Sequence, residues 1–123
     1  MIGSKADVGK RGELAAVNFL TQNGYRILER NFKTKLGEMD IIAQDGATVC
    51  FIEVKTRKSQ FFGSGWEAIT LQKKQKLILV AKSYLKQKKL NDEKARFDVI
   101  SVELDALFKE NVEIVKNAFE LND

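Results

Sequence analysis

The sequence predicts an α/β or α+β fold in which helices cover a small sheet. Residues 7–23 have the periodicity of an amphipathic helix, and three strand-like segments follow one another between residues 25 and 57. A second amphipathic helix, residues 70–88, precedes the almost continuously apolar strand RFDVISVEL, residues 96–104. For a chain of 123 residues that is 44% hydrophobic, we expect one domain, residues 1–123, that buries about two-thirds of its unfolded surface.

The first helix is expected to start at Asp7 as its N-cap and to stop at Gly24. Its apolar stripe comprises Ala16, Val17 and Leu20. This spacing repeats every three to four residues, so the stripe is expected to face a sheet.

Glu13 lies on the same stripe, so its carboxylate is expected to point toward the core near the start of the helix. The alternative is that Glu13 interacts favourably with the helix macrodipole or forms an ion pair with Lys10 or Arg11. Gly9 and Gly12 also lie inside this helix, where glycine is unfavourable. Their presence indicates that another group approaches the helix backbone closely.

The strands that follow carry charged groups among apolar residues. The segment YRILERNFK, residues 25–33, alternates like a strand, and Asn31-Phe32 and Lys35-Leu36-Gly37 are expected to turn the chain. The segment GEMDIIAQDGATVCFIEVKTR, residues 37–57, is expected to form a β-hairpin with Asp45-Gly46 as a two-residue type I′ loop.

That loop fixes the pairing between the two strands of the hairpin. Asp40 then lies opposite Phe51 and diagonal to Glu53, at about 7–8 Å between backbones. Glu38 lies opposite Glu53, and Lys55 shares the face of Glu53 because strand side chains alternate. The hairpin therefore predicts a cluster of three acids and one lysine on one face.

The rest of the chain completes the sheet. The loop KSQFFGSGWEAIT, residues 58–70, carries Phe61, Phe62 and Trp66, which either anchor the loop on the core or act as a lid that stacks on bases. The second helix has an apolar stripe of Leu77, Ile78, Ala81, Tyr84 and Leu85. We expect it to form a crossover to a central, parallel strand at residues 96–104, followed by a short strand and a last helical turn.

Composition excludes several kinds of site. The chain has no histidine, which excludes a histidine general base, a nucleophile activated by histidine and a histidine-bound zinc site. A metal would need oxygen ligands, which favours magnesium, manganese or calcium. The single cysteine, Cys50, is expected in the core. Without a long apolar run or signal peptide, we expect a soluble cytoplasmic protein with no membrane contact.

The charges of the hairpin suit phosphodiester hydrolysis. Asp40 and Glu53 are the expected ligands of Mg²⁺ or Mn²⁺, with Glu13 as a third candidate and Glu38 as an accessory acid. Lys55 would orient the attacking water and neutralise developing charge. The net charge of +4 is consistent with an anionic partner or with an ordinary solvated surface. The candidates for nucleic-acid contact are Arg11, Arg57, Lys73 and Lys76.

Three classes of function remain open at this point. The first is a metal-dependent nuclease that acts on DNA. The second is a nucleic-acid-binding module with little turnover. The third is an interaction or assembly factor in which Lys55 and Arg57 neutralise Glu53 and Asp40 in a structural network.

The segments GKRGELAAVNFL, GYRILERNF, GEMDIIA, FIEVKTR and RFDVISV together resemble the small bacterial UPF0102 (YraN-like) family. Glu13, Asp40 and the Glu53-Val54-Lys55 triplet are also similar to the E…D…ExK pattern of the PD-(D/E)xK nucleases, especially Holliday junction resolvases. Met39 stands where the superfamily name has proline. The resemblance implies a restriction-endonuclease-like core, with a mixed sheet of about 4–5 strands flanked by helices, and catalytic roles for Glu13, Asp40, Glu53 and Lys55. Cleavage of branched DNA would further predict a two-fold homodimer.

Overall fold

The computed structural model describes residues 5–58, 69–105, 107 and 109–119. Its elements in chain order are α1 (Lys5–Gln22), β1 (Arg26–Thr34), β2 (Gly37–Asp45), β3 (Thr48–Lys58), α2 (Leu71–Gln87), β4 (Lys94–Leu104) and β5 (Glu110–Phe119). The aromatic residues predicted to anchor or cap the loop, Phe61, Phe62 and Trp66, lie outside the described residues.

The five strands form one mixed sheet in the order β1-β2-β3-β4-β5. Strand β3 pairs with β4 in parallel, whereas the pairs β1–β2, β2–β3 and β4–β5 are antiparallel. Helix α2 connects the two parallel strands, as a crossover requires. The predicted α/β class, with a mixed sheet flanked by helices, is confirmed.

The two helices cover opposite faces of this sheet. Helix α1 packs on one face through Ala15, Ala16 and Leu20. Of its predicted stripe, Ala16 and Leu20 are buried and Val17 is partly buried. Helix α2 packs on the other face through Leu77, Ile78, Val80, Ala81, Tyr84 and Leu85. Cys50 is fully buried on the α1 face, and this burial raises the pKa of its thiol to about 12. Cys50 is therefore a neutral core residue, as expected.

Helix α1 lies against β3 at Gly12. A Cβ added to Gly12 would lie 2.6 Å from the Cβ and Cγ2 atoms of Thr56, whereas one added to Gly9 would meet nothing within 4 Å. The predicted close approach to the helix backbone is thus confirmed at Gly12 and wrong at Gly9. The contact sets the first half of α1 beside the carboxyl end of β3.

The hairpin between β2 and β3 has a different register from the predicted one: its loop lies one residue later, so each residue of β2 pairs two residues further along β3. Asp45 pairs with Thr48, and the loop is Gly46-Ala47 rather than Asp45-Gly46. Gly46 has a φ of +60°, and Ala47 is not among the residues with positive φ. A type II′ turn needs positive φ only at its first central position, whereas type I′ needs it at both. The glycine therefore occupies the first loop position.

A polar network around Arg96 holds Asp45 in the strand. Arg96 Nη2 donates to Asp45 Oδ2 and to Tyr25 Oη, each at 2.9 Å. Arg96 Nε donates to both carboxylate oxygens of Asp98 at 3.0 and 3.1 Å. Asp98 is 1% exposed and also accepts from the backbone N–H of Asn117 at 2.9 Å. These bonds satisfy the buried charge of Asp98, which interrupts the apolar part of β4.

Three boundaries also differ from the prediction. Helix α1 begins at Lys5, so Asp7 lies in its first turn and is not its N-cap. Strand β1 continues through Asn31 to Thr34, although Asn31 has the turn-like φ of +53°. The final segment is a strand of 10 residues that ends at Phe119, with no helical turn in its described part. Its pairing with β4 explains its length.

Neither described helix combines the length and the apolar character that crossing a bilayer requires.

Candidate carboxylate site

Two carboxylates meet where β2 and β3 stop pairing. The last residues that pair between the two strands at this end are Ile41 and Ile52. If the pairing continued by one residue, Asp40 would lie opposite Glu53. At this point the backbone N–H of Val54 donates instead to Asp40 Oδ2, at 2.8 Å. The two-residue change in register keeps both acids on one face, because it preserves the alternation of the strand. Asp40 and Glu53 are therefore direct neighbours rather than diagonal ones.

This proximity changes the ionisation of Asp40. Burial, followed by the charge of Glu53, raises the pKa of Asp40 from 3.8 to about 7, and the charge of Glu13 acts in the same direction. The hydrogen bond from Val54 opposes the rise in pKa. Glu53 itself is only 8% exposed. Two acids in one poorly solvated place disfavour two negative charges, so a bound cation would stabilise the pair.

Helix α1 contributes a third acid, Glu13, and strand β2 a fourth, Glu38; Asn31 of β1 contacts both. The side-chain amide of Asn31, oriented so that its nitrogen faces acceptors, donates to Glu13 Oε1 at 2.8 Å and to Glu38 Oε1 at 3.2 Å. Glu13 is half-buried and Glu38 is exposed. The predicted position of Glu38 opposite Glu53 is wrong, because the true register leaves Glu38 beside Asn31.

Asn31 is the residue of this site that sequence reasoning missed. We assigned it to a turn, since asparagine tolerates positive φ. Asn31 has this positive φ inside strand β1, and its side-chain amide lies beside the carboxylates of Glu13 and Glu38. The signal was present in the residue type, but nothing local in the sequence distinguishes a turn from an irregular strand.

Helix α2 places the ammonium group of Lys73 beside the two carboxylates of Asp40 and Glu53. Lys73 Nζ lies 2.9 Å from Glu53 Oε1, in the first turn of the helix. The side chain of Glu53 is 10% exposed and that of Lys73 is 45% exposed. Glu53 therefore has one neighbouring ammonium, that of Lys73, and one neighbouring carboxylate, that of Asp40.

The other basic residues predicted for the site differ in their burial and in their ion-pair partners. Lys55 is half-buried, and the alternation of β3 puts it on the same face as Glu53. Arg57 Nη2 lies 3.5 Å from Glu103 Oε1, and Arg11 Nη2 lies 3.8 Å from Glu110 Oε1. Lys76 is exposed on α2. Arg11 and Arg57 thus each have an acidic neighbour, whereas Lys55 and Lys76 have no ion pair within the described ranges.

The donor set fits a hard divalent cation. Asp40 and Glu53 offer carboxylate oxygens, and Mg²⁺ is commonly held by one or two carboxylates while it keeps several waters. Among the described residues, no group of three or more acidic side chains is arranged to hold one ion. Glu13 is turned to Asn31, so the first-choice ligands are the two strand acids.

Comparison with known proteins agrees with the sequence motifs. The model of the family described as "Uncharacterised protein family UPF0102" matches residues 12–102. A UPF0102 protein of Clostridium botulinum is 47% identical over 117 residues, covering 94% of this chain and 95% of the relative. A UPF0102 protein of Caldicellulosiruptor saccharolyticus is 44% identical over 117 residues, covering 94% of this chain and 99% of the relative. The chain belongs to the UPF0102 family, as its motifs predicted.

Proposed function

We propose that this protein is a metal-dependent nuclease that hydrolyses phosphodiester bonds of DNA. The observation that carries the proposal is the placement of Asp40 beside Glu53 at the open end of the hairpin, where burial and next the charge of Glu53 raise the pKa of Asp40 to about 7. A pair of acids that cannot both ionise comfortably is an expensive feature for a folding-only role. It is, however, what a site for a divalent cation requires.

The roles of the side chains follow from their positions. Asp40 and Glu53 would hold Mg²⁺ or Mn²⁺, which, when bound, supplies positive charge beside the phosphate and makes a nearby water more acidic. Hydrolysis forms a bond from water oxygen to phosphorus and breaks one ester P–O bond, and the leaving oxygen gains a proton. Lys55, on the same face as Glu53, would orient the water and balance charge on the phosphate. Glu13, held by Asn31, would add negative charge that attracts the cation.

The basic helix beside the site supports a nucleic-acid partner. Helix α2 has the sequence LQKKQKLILVAKSYLKQ, which contains five lysines and no acidic residue. Its first lysine already touches Glu53, and Lys76 lies exposed one turn further along. Cations at such spacing bind phosphates without reading sequence. We propose branched DNA as the class of substrate. We also propose that the protein forms a homodimer, because symmetric cutting of two strands requires two active sites.

A second candidate is a nucleic-acid-binding module with little or no catalysis. One observation favours it: the ammonium of Lys73 already neutralises Glu53 at 2.9 Å. If that ion pair persists, Asp40 is left as the only carboxylate of the pair that is open to a cation. Lysines of α2 would then bind phosphates without a reaction.

Cleavage assays separate the two candidates. Purified protein is incubated with linear duplex, single-stranded and four-way-junction DNA in Mg²⁺, Mn²⁺ or EDTA. The nuclease predicts cutting that needs the cation and falls by at least about 100-fold in Asp40→Asn and in Glu53→Gln. The exposed Glu93, in the connection before β4, provides the matched control Glu93→Gln.

The outcomes point in different directions. Cutting that survives in both site variants would mean a contaminating enzyme and would count against the proposal. DNA binding that weakens steeply with salt, together with no cutting of any substrate in either cation, would favour the binding module.

A further inference from the structure

Lys73 reaches Glu53 from the solvent side of the site. Its ammonium lies 2.9 Å from Glu53 Oε1, and its side chain is 45% exposed whereas that of Glu53 is 10% exposed. The carboxylate is thus fixed in the protein, and the lysine can leave it for water. A cation that binds this oxygen of Glu53 would have to displace the ammonium.

The position of Lys73 in its helix is unfavourable for a purely structural residue. It lies in the first turn of α2, which contains no acidic residue. The amino end of a helix carries partial positive charge and favours acids over lysine. Thr70 accepts a hydrogen bond from the backbone N–H of Lys73 at 3.1 Å, so the helix start and the origin of the lysine side chain are fixed. The ion pair with Glu53 offsets the repulsion.

The neighbouring lysines of α2 do not share this contact. Lys74 Nζ lies 5.6 Å from the centre of the Phe119 ring, on the core side. Lys82 is exposed. In the part of the chain that the structure describes, Lys73 is the one lysine of α2 in an ion pair. Its relation to Glu53 is therefore specific, not a general feature of a lysine-rich helix.

We propose that Lys73 occupies Glu53 in the ion-free protein, is displaced when a divalent cation binds, and then contacts a phosphate of the nucleic acid. This inference rests on the proposed function, because it assumes a cation at Asp40 and Glu53. One lysine then links two binding events: the cation frees the ammonium, and the phosphate keeps it away from Glu53. By thermodynamic reciprocity, the cation tightens DNA binding and DNA tightens cation binding by the same factor.

The first experiment measures cation binding without DNA. Mn²⁺ is titrated calorimetrically into the wild-type protein, Lys73→Gln and the matched control Lys82→Gln, which removes the same charge elsewhere on α2. Loss of a competing ammonium predicts Mn²⁺ binding about threefold to tenfold tighter in Lys73→Gln than in the wild type. Lys82→Gln is expected to change the affinity by less than about twofold. Equal affinities in the two variants would overturn the inference.

The second experiment measures DNA binding as a function of the cation. Ca²⁺, which takes the same kind of oxygen ligands, replaces EDTA in fluorescence-anisotropy titrations of a short duplex. The wild-type protein is expected to bind the duplex several-fold more tightly in Ca²⁺ than in EDTA, and Lys73→Gln is expected to lose most of that gain. A gain of equal size in Lys73→Gln would contradict the release of Lys73 to phosphate.

A third measurement needs no variant and so does not depend on the folding of Lys73→Gln. In wild-type protein labelled with ¹⁵N in its lysine side chains, Mg²⁺ should shift and broaden the ammonium signal of Lys73 while that of Lys82 stays in place. An unchanged Lys73 signal with Mg²⁺ bound would overturn the inference and leave the proposed nuclease intact. No cation binding at millimolar Mn²⁺ would overturn both.

Discussion

Replacing Asp40 by asparagine removes the charge that the site accommodates least well. The pKa of this carboxyl is raised from 3.8 to about 7, first by burial and next by the charge of Glu53. Asparagine has nearly the same shape, and its side-chain oxygen can still accept the hydrogen bond that Val54 N–H now donates to Asp40. Asp40→Asn therefore tests the effect of the Asp40 charge on stability with little change in packing.

The sign and size of the effect follow from proton binding. Between pH 4 and pH 7 the folded wild-type protein holds a proton on Asp40 that the unfolded chain has lost, so its free energy of unfolding falls as pH rises through this range. Each pH unit in the range contributes about 1.4 kcal/mol. From pH 5 to pH 8, the stability of the wild type relative to Asp40→Asn should fall by about 2–3 kcal/mol.

Urea unfolding in EDTA at pH 5, 6, 7 and 8 measures this difference. Asp92→Asn, which removes an exposed carboxylate from the connection before β4, is the matched control. A difference between wild type and Asp40→Asn that stays constant with pH, or that grows in favour of the wild type above pH 7, would refute the reasoning about the carboxylate pair.

Two further predictions concern the scaffold that positions the site, and both are measured as free energies of unfolding. Gly12→Ala should destabilise the protein by about 1–3 kcal/mol, because its methyl group would overlap a side chain of β3. Its control Gly9→Ala, in open space, should stabilise by about 0.5–1 kcal/mol, and equal effects would refute the close contact. Arg96→Met should cost about 3–5 kcal/mol, because Asp98 would stay buried without its partner. Arg26→Met, at an exposed position of β1, should have little effect, and a cost for Arg96→Met of the same small size would refute the network's role.

Much of the fold could be predicted because local patterns and the fold agree. All five residues of the predicted α2 stripe are buried, although the stripe left out the buried Val80. The apolar run of β4 matched a strand inside the sheet. The boundaries of α1 and β5 were wrong, because helix starts and edge strands depend on contacts with the rest of the chain. Strand β5 is an example, since its exposed, mixed sequence becomes a long strand only through pairing with β4.

The proximity of Asp40 and Glu53 was predicted, whereas the contacts around them were missed. Asp40 and Glu53 could be placed on one face despite the wrong loop, because a two-residue shift preserves strand alternation. The loop itself was misplaced because Arg96, 51 residues away in the chain, binds Asp45 and holds it in β2. The contact between Lys73 and Glu53 likewise joins residues from separate elements. Such long-range pairs leave no periodic signal in a sequence.

The most direct test of the account is the position of Mn²⁺ in a crystal of the wild-type protein. Anomalous scattering should locate an ion bound by carboxylate oxygens of Asp40 and Glu53, with the Lys73 ammonium moved away from its 2.9 Å contact. The same soak of Glu53→Gln should show no ion at this place. A wild-type crystal soaked at high Mn²⁺ that shows no ion between the two acids, and an intact Lys73–Glu53 pair, would contradict the central claim.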